Sequence, residues 1–259
     1  MIIKIRDNMN DSLGDRMKTY EKSYSIKLPN RLPVIIRIDG KSFHTMVKKW
    51  RCSKPFDDKL IEIMQATTQY LCNNISGCEL GYVQSDEISL LLRNDQTLNT
   101  QPYFDNKLQK LCSIVASMAT MIFNHCGSTF FKTPLIRNAN YAMFDARVFI
   151  VPETDVCNYF IWRQQDASRN SVQMLARSLY SHKECNNKNS SQLQEMCFQK
   201  GQNWNDLETY KKRGSCLIKR DKTISTPNGE VIRKKWIIDK DIPVFTQVRE
   251  YIKNTLVIS

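Results

Sequence analysis

The sequence holds 259 residues, 41% hydrophobic and 10% aromatic, which excludes a disordered or fibrous chain and allows a sizeable core. Its 38 Lys and Arg outnumber 26 Asp and Glu, and the formal net charge of +12 suits a polyanionic partner, nucleic acid being the commonest. Nine Cys, an odd number without a C-x-x-C pair or a Cys/His cluster, argue against a disulfide framework and a zinc site and fit small buried residues in a reducing compartment.

In chain order, residues 11–24 predict a helix with Leu13, Met17, Tyr20 and Tyr24 on one face. Leu28–Pro33 reads as a linker, and Val34–Asp39 as a β-branched strand ended by Gly40. Lys41–Lys54 is a basic loop or short helical turn. A helix opens at Pro55 or Phe56 with Asp57 and Asp58 in its first turn, and buries Leu60, Ile63, Met64, Thr67 and Leu71. Glu79–Gln84 and Ile88–Leu92 form a hairpin around Ser85-Asp86-Glu87. A second long helix is expected over Asp105–Asn124 and a fourth strand over Tyr141–Val151.

Strand, helix, strand, strand, helix, strand is the split βαβ, ferredoxin-like order, so the fold class is α+β, an antiparallel sheet with helices on one face. Beyond Pro152 the pattern changes. Glu153–Tyr180 is helical with a possible break near Gln165–Ser168, and Ser191–Gln199 is another helix. Cys216–Arg220 and Val231–Ile238 form a small hairpin about a turn at 226–229, and Pro243–Asn254 suggests a final helix. Residues 1–151 are thus read as a catalytic region and 152–259 as a mainly helical accessory region packed on it. No stretch is expected to reach the about 18 apolar residues of a membrane span. Asp7, Asp11 and Asp15 distinguish the N-terminus from an acid-poor transit peptide. An intracellular, soluble protein of cytoplasm or mitochondrion is expected.

Asp39 and Asp86 are the first candidates for chemistry. In a ferredoxin-like sheet the first strand lies beside the third, which brings the end of one strand next to the hairpin tip. Two close carboxylates repel unless a cation lies between them, and Mg²⁺ takes such oxygens together with phosphate. Arg37, Lys41, Lys48, Lys49, Arg51 and Lys54 flank Asp39 with charge that a triphosphate would need, although the Lys48–Arg51 run reads rather as a solvated loop. Arg37 lies inside a strand and must find a partner. No P-loop or G-x-G-x-x-G is present. His44 could bind phosphate or act as an acid, or simply sit at the surface.

Together, Arg37-Ile38-Asp39-Gly40-Lys41-Ser42-Phe43-His44, Lys54-Pro55-Phe56-Asp57 and Gln84-Ser85-Asp86-Glu87 resemble the tRNA-His guanylyltransferase family. Met17–Glu21, Phe144–Arg147 and Trp162–Asp166 match further family motifs, so the resemblance spans roughly residues 14 to 220. It implies a polymerase palm that adds nucleotides 3′ to 5′ at the 5′ end of tRNA. It further implies two Mg²⁺ ions on Asp39, the Gly40 carbonyl and Asp86, with Glu87 accompanying them as a third catalytic acid. ATP, GTP and other nucleoside triphosphates would be substrates. Arg37, Gly40, Lys41, Ser42, Phe43, His44, Lys54, Ser85 and Asp86 fall on nucleotide-handling positions. Asn170, Lys183, Lys211, Lys212 and Arg213 fall on positions that hold RNA or triphosphate. Family members are commonly homotetramers.

After the position of Asp166 the eukaryotic tRNA-His enzymes have His-Ile-Asn-Asn-Leu-Tyr-Asn. Here the chain reads Ala167-Ser168-Arg169-Asn170-Ser171-Val172-Gln173, then His182-Lys183-Glu184. That resembles the sister branch of 3′–5′ polymerases, which repair truncated tRNA 5′ ends by copying the opposite strand. The expected partner is therefore a tRNA with an incomplete 5′ end. Addition of a single G to tRNA-His and a non-catalytic tRNA-binding palm are the alternatives.

Overall fold

The computed structural model describes residues 12–97, 99–131, 141–226 and 229–256. The sequence's Asp7 and Asp11, and Pro227 and Asn228 of the second hairpin's turn, lie outside them. The β-branched run forms β1 (Val34–Gly40), the hairpin forms β2 (Cys78–Gln84) and β3 (Glu87–Leu92), and the fourth strand is β4 (Phe144–Ile150). They pair antiparallel in the order β4-β1-β3-β2, as the ferredoxin-like reading requires. β1 is flanked on both sides, with Asp39 opposite Glu87 of β3 and Asp145 of β4.

Alternation along the strands sorts side chains to two faces. Val34, Ile36, Ile38, Ile88, Leu90 and Leu92 pack beneath α3 (Asp58–Asn74) and α4 (Leu108–Phe131). Asp57 is the cap of α3 rather than part of its first turn: it accepts from Leu60 N at 3.0 Å and Ser53 N at 2.7 Å. A 3₁₀ turn at Tyr103–Asn106 precedes α4, which therefore starts later than its sequence predicts and runs longer. Over Leu108–Thr129, α4 is long and apolar enough to cross a membrane, contrary to the sequence expectation. Its Leu111, Val115, Ala119 and Phe123 are nevertheless fully buried against the sheet. The basic segment after β1 holds a short helix, α2 (Phe43–Lys49).

The second half covers the other face. α5 (Glu153–Leu179) is unbroken and sets Val156, Phe160 and Ala167 against Ile35, Leu80, Tyr82 and Leu91. Three short helices follow: α6 (His182–Cys185), α7 (Ser190–Gln199) and α8 (Thr209–Arg213). The second hairpin is longer than predicted, β5 (Ser215–Thr226) and β6 (Gly229–Asp239), and β5 pairs with β2, so the sheet has six strands. The predicted last helix shrinks to α9 (Glu250–Lys253), because Ile242 and Phe245 enter the core from irregular chain before it. α1 (Leu13–Ser23) forms as predicted and is capped by Ser12, but none of its residues is buried.

Candidate active site

The Gly40 N–H donates to Asp86 O at 3.1 Å and the Lys41 N–H to Met143 O at 2.8 Å, which ties the end of β1 to both neighbours. Asp39 and Asp86 thereby open into one cleft of about 510 Å³. Gly40, Ser42, Phe43, His44, Ser85, Asn170, Lys211 and Lys212 also line it. Ser42 and Ser85 hold left-handed backbone, at φ 52° and 50°, where the chain turns away from each strand. Phe43 has its ring buried against Phe123 and Phe144, so it forms the floor beneath the loop.

The far wall comes from α8 and β5. Gly214 ends α8 at φ +82°, and a Cβ there would meet Val83 O at 2.5 Å. Tyr82 donates its hydroxyl to Arg213 O at 2.7 Å. Lys211 pairs with Asp58 at 3.0 Å and Glu208 at 3.4 Å. Burial works against its charge, but the hydrogen bond and charge of Asp58, with Tyr210 and Glu208, together outweigh it and raise the Lys211 ammonium above its ordinary value. Gln65 donates to Ser215 at 2.8 Å in the buried floor.

Burial, and then the charge of Asp39, push the Asp86 carboxyl up, against its own backbone N–H, the Ser85 hydroxyl and His44. A cation beside Asp39 and Asp86 would offset both the burial and the repulsion, so the donor set fits one. Among the described residues no group of three or more His, Cys, Asp or Glu could hold an ion. Backbone oxygen and substrate phosphate would have to complete the coordination, as Mg²⁺ commonly accepts.

Other predicted site residues lie elsewhere. Glu87 faces α5, away from the cleft: Arg163 donates to it through Nε at 2.6 Å and Nη2 at 2.8 Å, and Arg37 lies 4.0 Å off. Burial raises the Glu87 carboxyl, while the charge and hydrogen bonds of Arg163 pull it back. Arg37 has found its partners in Glu87 and the face of Trp162, yet its buried Nε has no hydrogen bond. Lys41 and Lys54 are exposed beside the cleft without lining it, and Arg213 is likewise outside. Lys183 corrects its expectation: α6 lies past the C-terminal end of α5, beside a separate small groove, and its lysine does not reach the cleft.

Sequence reasoning assigned no role to Arg163, Asp166 or Tyr210. Asp166 accepts from Arg163 at 2.7 Å and Arg169 at 3.1 Å. Although burial opposes it, these hydrogen bonds and charges hold its carboxyl low. Tyr210 lines the cleft and donates to Asp58 at 3.1 Å. The available signal was an Arg–Asp pair three apart on a half-buried helix, a spacing that puts both on one face.

A ferredoxin-like palm with adjoining carboxylates at the strand ends and a cation-lined cleft defines a nucleotidyltransferase of the palm class. The family model described as tRNAHis guanylyltransferase matches residues 14–152, more than half of the chain, and the chain belongs to that family. Among solved structures it is similar to a bacterial tRNA(His) guanylyltransferase-like protein in complex with ATP, 43% identical with a TM-score of 0.83, covering 96% of this chain and 100% of that one. The likeness to such a protein in complex with GTP is 44% identity and a TM-score of 0.79, over 95% and 99%. A probable tRNA(His) guanylyltransferase of Drosophila melanogaster is 30% identical, over 79% of this chain and 72% of the relative.

Proposed function

We propose that this chain restores truncated tRNA 5′ ends by template-dependent addition of nucleotides in the 3′–5′ direction. The carrying observation is the Asp39–Asp86 pair opening into a cleft lined by His44, Lys211 and Lys212. In the first step an oxygen of the RNA 5′-monophosphate attacks the α-phosphorus of ATP, and pyrophosphate leaves. In the second, the 3′-OH of an incoming nucleoside triphosphate attacks the activated 5′ phosphate, and AMP leaves. Asp39, Asp86 and the Gly40 carbonyl would hold Mg²⁺, which when bound supplies charge stabilisation for attacking and leaving oxygens. Lys211, Lys212 and His44 orient the triphosphate, and Ser85 borders it at the hairpin tip. The similar proteins solved in complex with ATP and with GTP support nucleoside triphosphates as substrates.

The repair reading, as against addition of one G, rests on Ser168 and Ser171-Val172-Gln173, where the tRNA-His branch has other residues. The family description and the relatives' names favour the second reading, single-G addition to tRNA-His. Self-association is part of the proposal, up to the homotetramer that the family resemblance implies: α1 and the Tyr24 that ends it expose Leu13, Met17, Tyr20 and Tyr24. The test is nucleotide addition to 5′-monophosphorylated tRNAs lacking one or more 5′ residues, with ATP and all four nucleotides. Repair gives template-matched products on several tRNAs. Untemplated G confined to tRNA-His rejects it in favour of the second reading. Asp39→Ala and Asp86→Ala should each lower the rate by at least about a thousandfold, the scale at which charge stabilisation operates.

A further inference from the structure

We infer that Trp162 is a stacking platform for an unpaired base at the RNA end, on the side of Asp39 away from the nucleotide cleft. The inference rests on the RNA-processing reading above and adds a residue and a contact to it. Trp162 is 46% exposed on α5, a helix whose inner face is otherwise buried. The Arg163 guanidinium lies 4.3 Å from its ring centroid and that of Arg37 lies 6.0 Å away. Both guanidinium groups converge on Glu87, so they hold the inner side of the indole by cation–π attraction. Tyr159 packs edge-on at 5.9 Å. The ring is thus fixed from below, and its outer part meets solvent.

Charge decides which part of a nucleic acid such a surface takes. Both guanidinium groups at Trp162 are spoken for by carboxylates, Arg37 by Glu87 and Arg163 by Glu87 and Asp166, and Arg147, beside Arg37 in the sheet, lies within 4.0 Å of Asp39 and Asp145. A neutral surface grips phosphate poorly. What it offers is a flat π face, and every base has one irrespective of sequence.

Position decides which base. Arg37 and Asp39 share a face of β1 two residues apart, so about 7 Å of strand separates them. Trp162, Arg37 and Arg147 do not line the cleft, whereas Asp39 touches both sides: it lines the cleft and lies 4.0 Å from Arg147. With a triphosphate in the cleft, the RNA end reaches Asp39 over Trp162. A stem with a recessed 5′ end leaves unpaired bases on the opposite strand, and the first of these to leave the duplex stacks on the indole.

The experiment measures affinity for two RNA hairpins with one stem sequence, one blunt and one with a 3′ overhang opposite a recessed 5′-monophosphate. ATP affinity is measured in parallel, for wild type, Trp162→Phe and Trp162→Ala. Trp162→Ala should weaken the overhanging hairpin by about tenfold, leave the blunt hairpin and ATP within about twofold, and Trp162→Phe should regain most of the loss. A 2-aminopurine placed in the overhang should be quenched by wild type and not by Trp162→Ala, a readout that a structural role for the indole would not move. Equal weakening of both hairpins, weakened ATP, or unchanged binding and quenching overturns the platform. A wild-type protein that binds neither hairpin and adds no nucleotide overturns the RNA-processing reading instead.

Discussion

Glu87 is tightly constrained, because a buried carboxylate stays charged only while its partners hold it. Arg163 supplies two hydrogen bonds to it from a position 7% or less exposed on both sides of the pair. Removing one partner of such a pair costs about 3–5 kcal/mol, whereas replacing both is often neutral. Arg163→Met should therefore lower the urea midpoint sharply, and Glu87→Gln with Arg163→Met should recover much of it. If the double variant is no better than the single, the loss comes from packing alone. Arg93 builds a second buried hub: it donates to both carboxylate oxygens of Asp95 at 2.6 Å and to Leu256 O at 2.9 Å. The hydrogen bond from Arg93 holds the Asp95 carboxyl below its ordinary value. A lowered folded-state value means that the pair stabilises the fold above the ordinary carboxylate range and loses this as pH falls through the lowered value. Unfolding of wild type and Asp95→Asn should differ at pH 7 and converge once the pH has fallen below the lowered value. The sequence could not name the Glu87 hub, since Arg163 and Glu87 are 76 residues apart and only the folded sheet joins them.

At the scale of elements, the palm was legible because its strands are written in β-branched residues and its helices in apolar stripes. Asp39 and Asp86 came together in the reading for the same reason: strand order alone puts their ends side by side. The second hairpin was legible only in part. Lys219–Lys222 and Arg233–Lys235 carry no alternation to mark a strand, and backbone pairing rather than burial extends it. The N-terminal stripe misled in the other direction, because spacing that normally signals a buried face belongs here to a helix with no buried residue. Close approach between elements is also invisible in sequence. A Cβ on Gly81 would lie 2.6 Å from Cys72 Sγ and 3.0 Å from Thr68 Cγ2, so α3 rests directly on the β2 backbone. Gly81→Ala should cost about 1–3 kcal/mol by overpacking, and adding Cys72→Ala should return part of it, as read from thermal unfolding.

For the whole molecule, the charge of +12 matters more than any single cation, because RNA binding through phosphates releases counterions. Affinity for tRNA should fall linearly on a log–log plot against salt, while ATP binding at the cleft should depend on salt much less. A flat salt response would remove phosphate contact as the main source of affinity. The sheet itself imposes a further consequence. β1 is an inner strand, and its end is hydrogen-bonded on one side to the β2–β3 turn and on the other to Met143. The Gly40 amide should then be released only when β1 parts from the β2–β3 turn, and the Lys41 amide only when it parts from the chain entering β4. Amide exchange would show them among the slowest protons of the chain, while those of α1 exchange almost as in a peptide. A carboxylate mounted on so stiff a post cannot swing between tasks. Whatever sequence of steps the cleft supports, it is the substrates that must change places around Asp39.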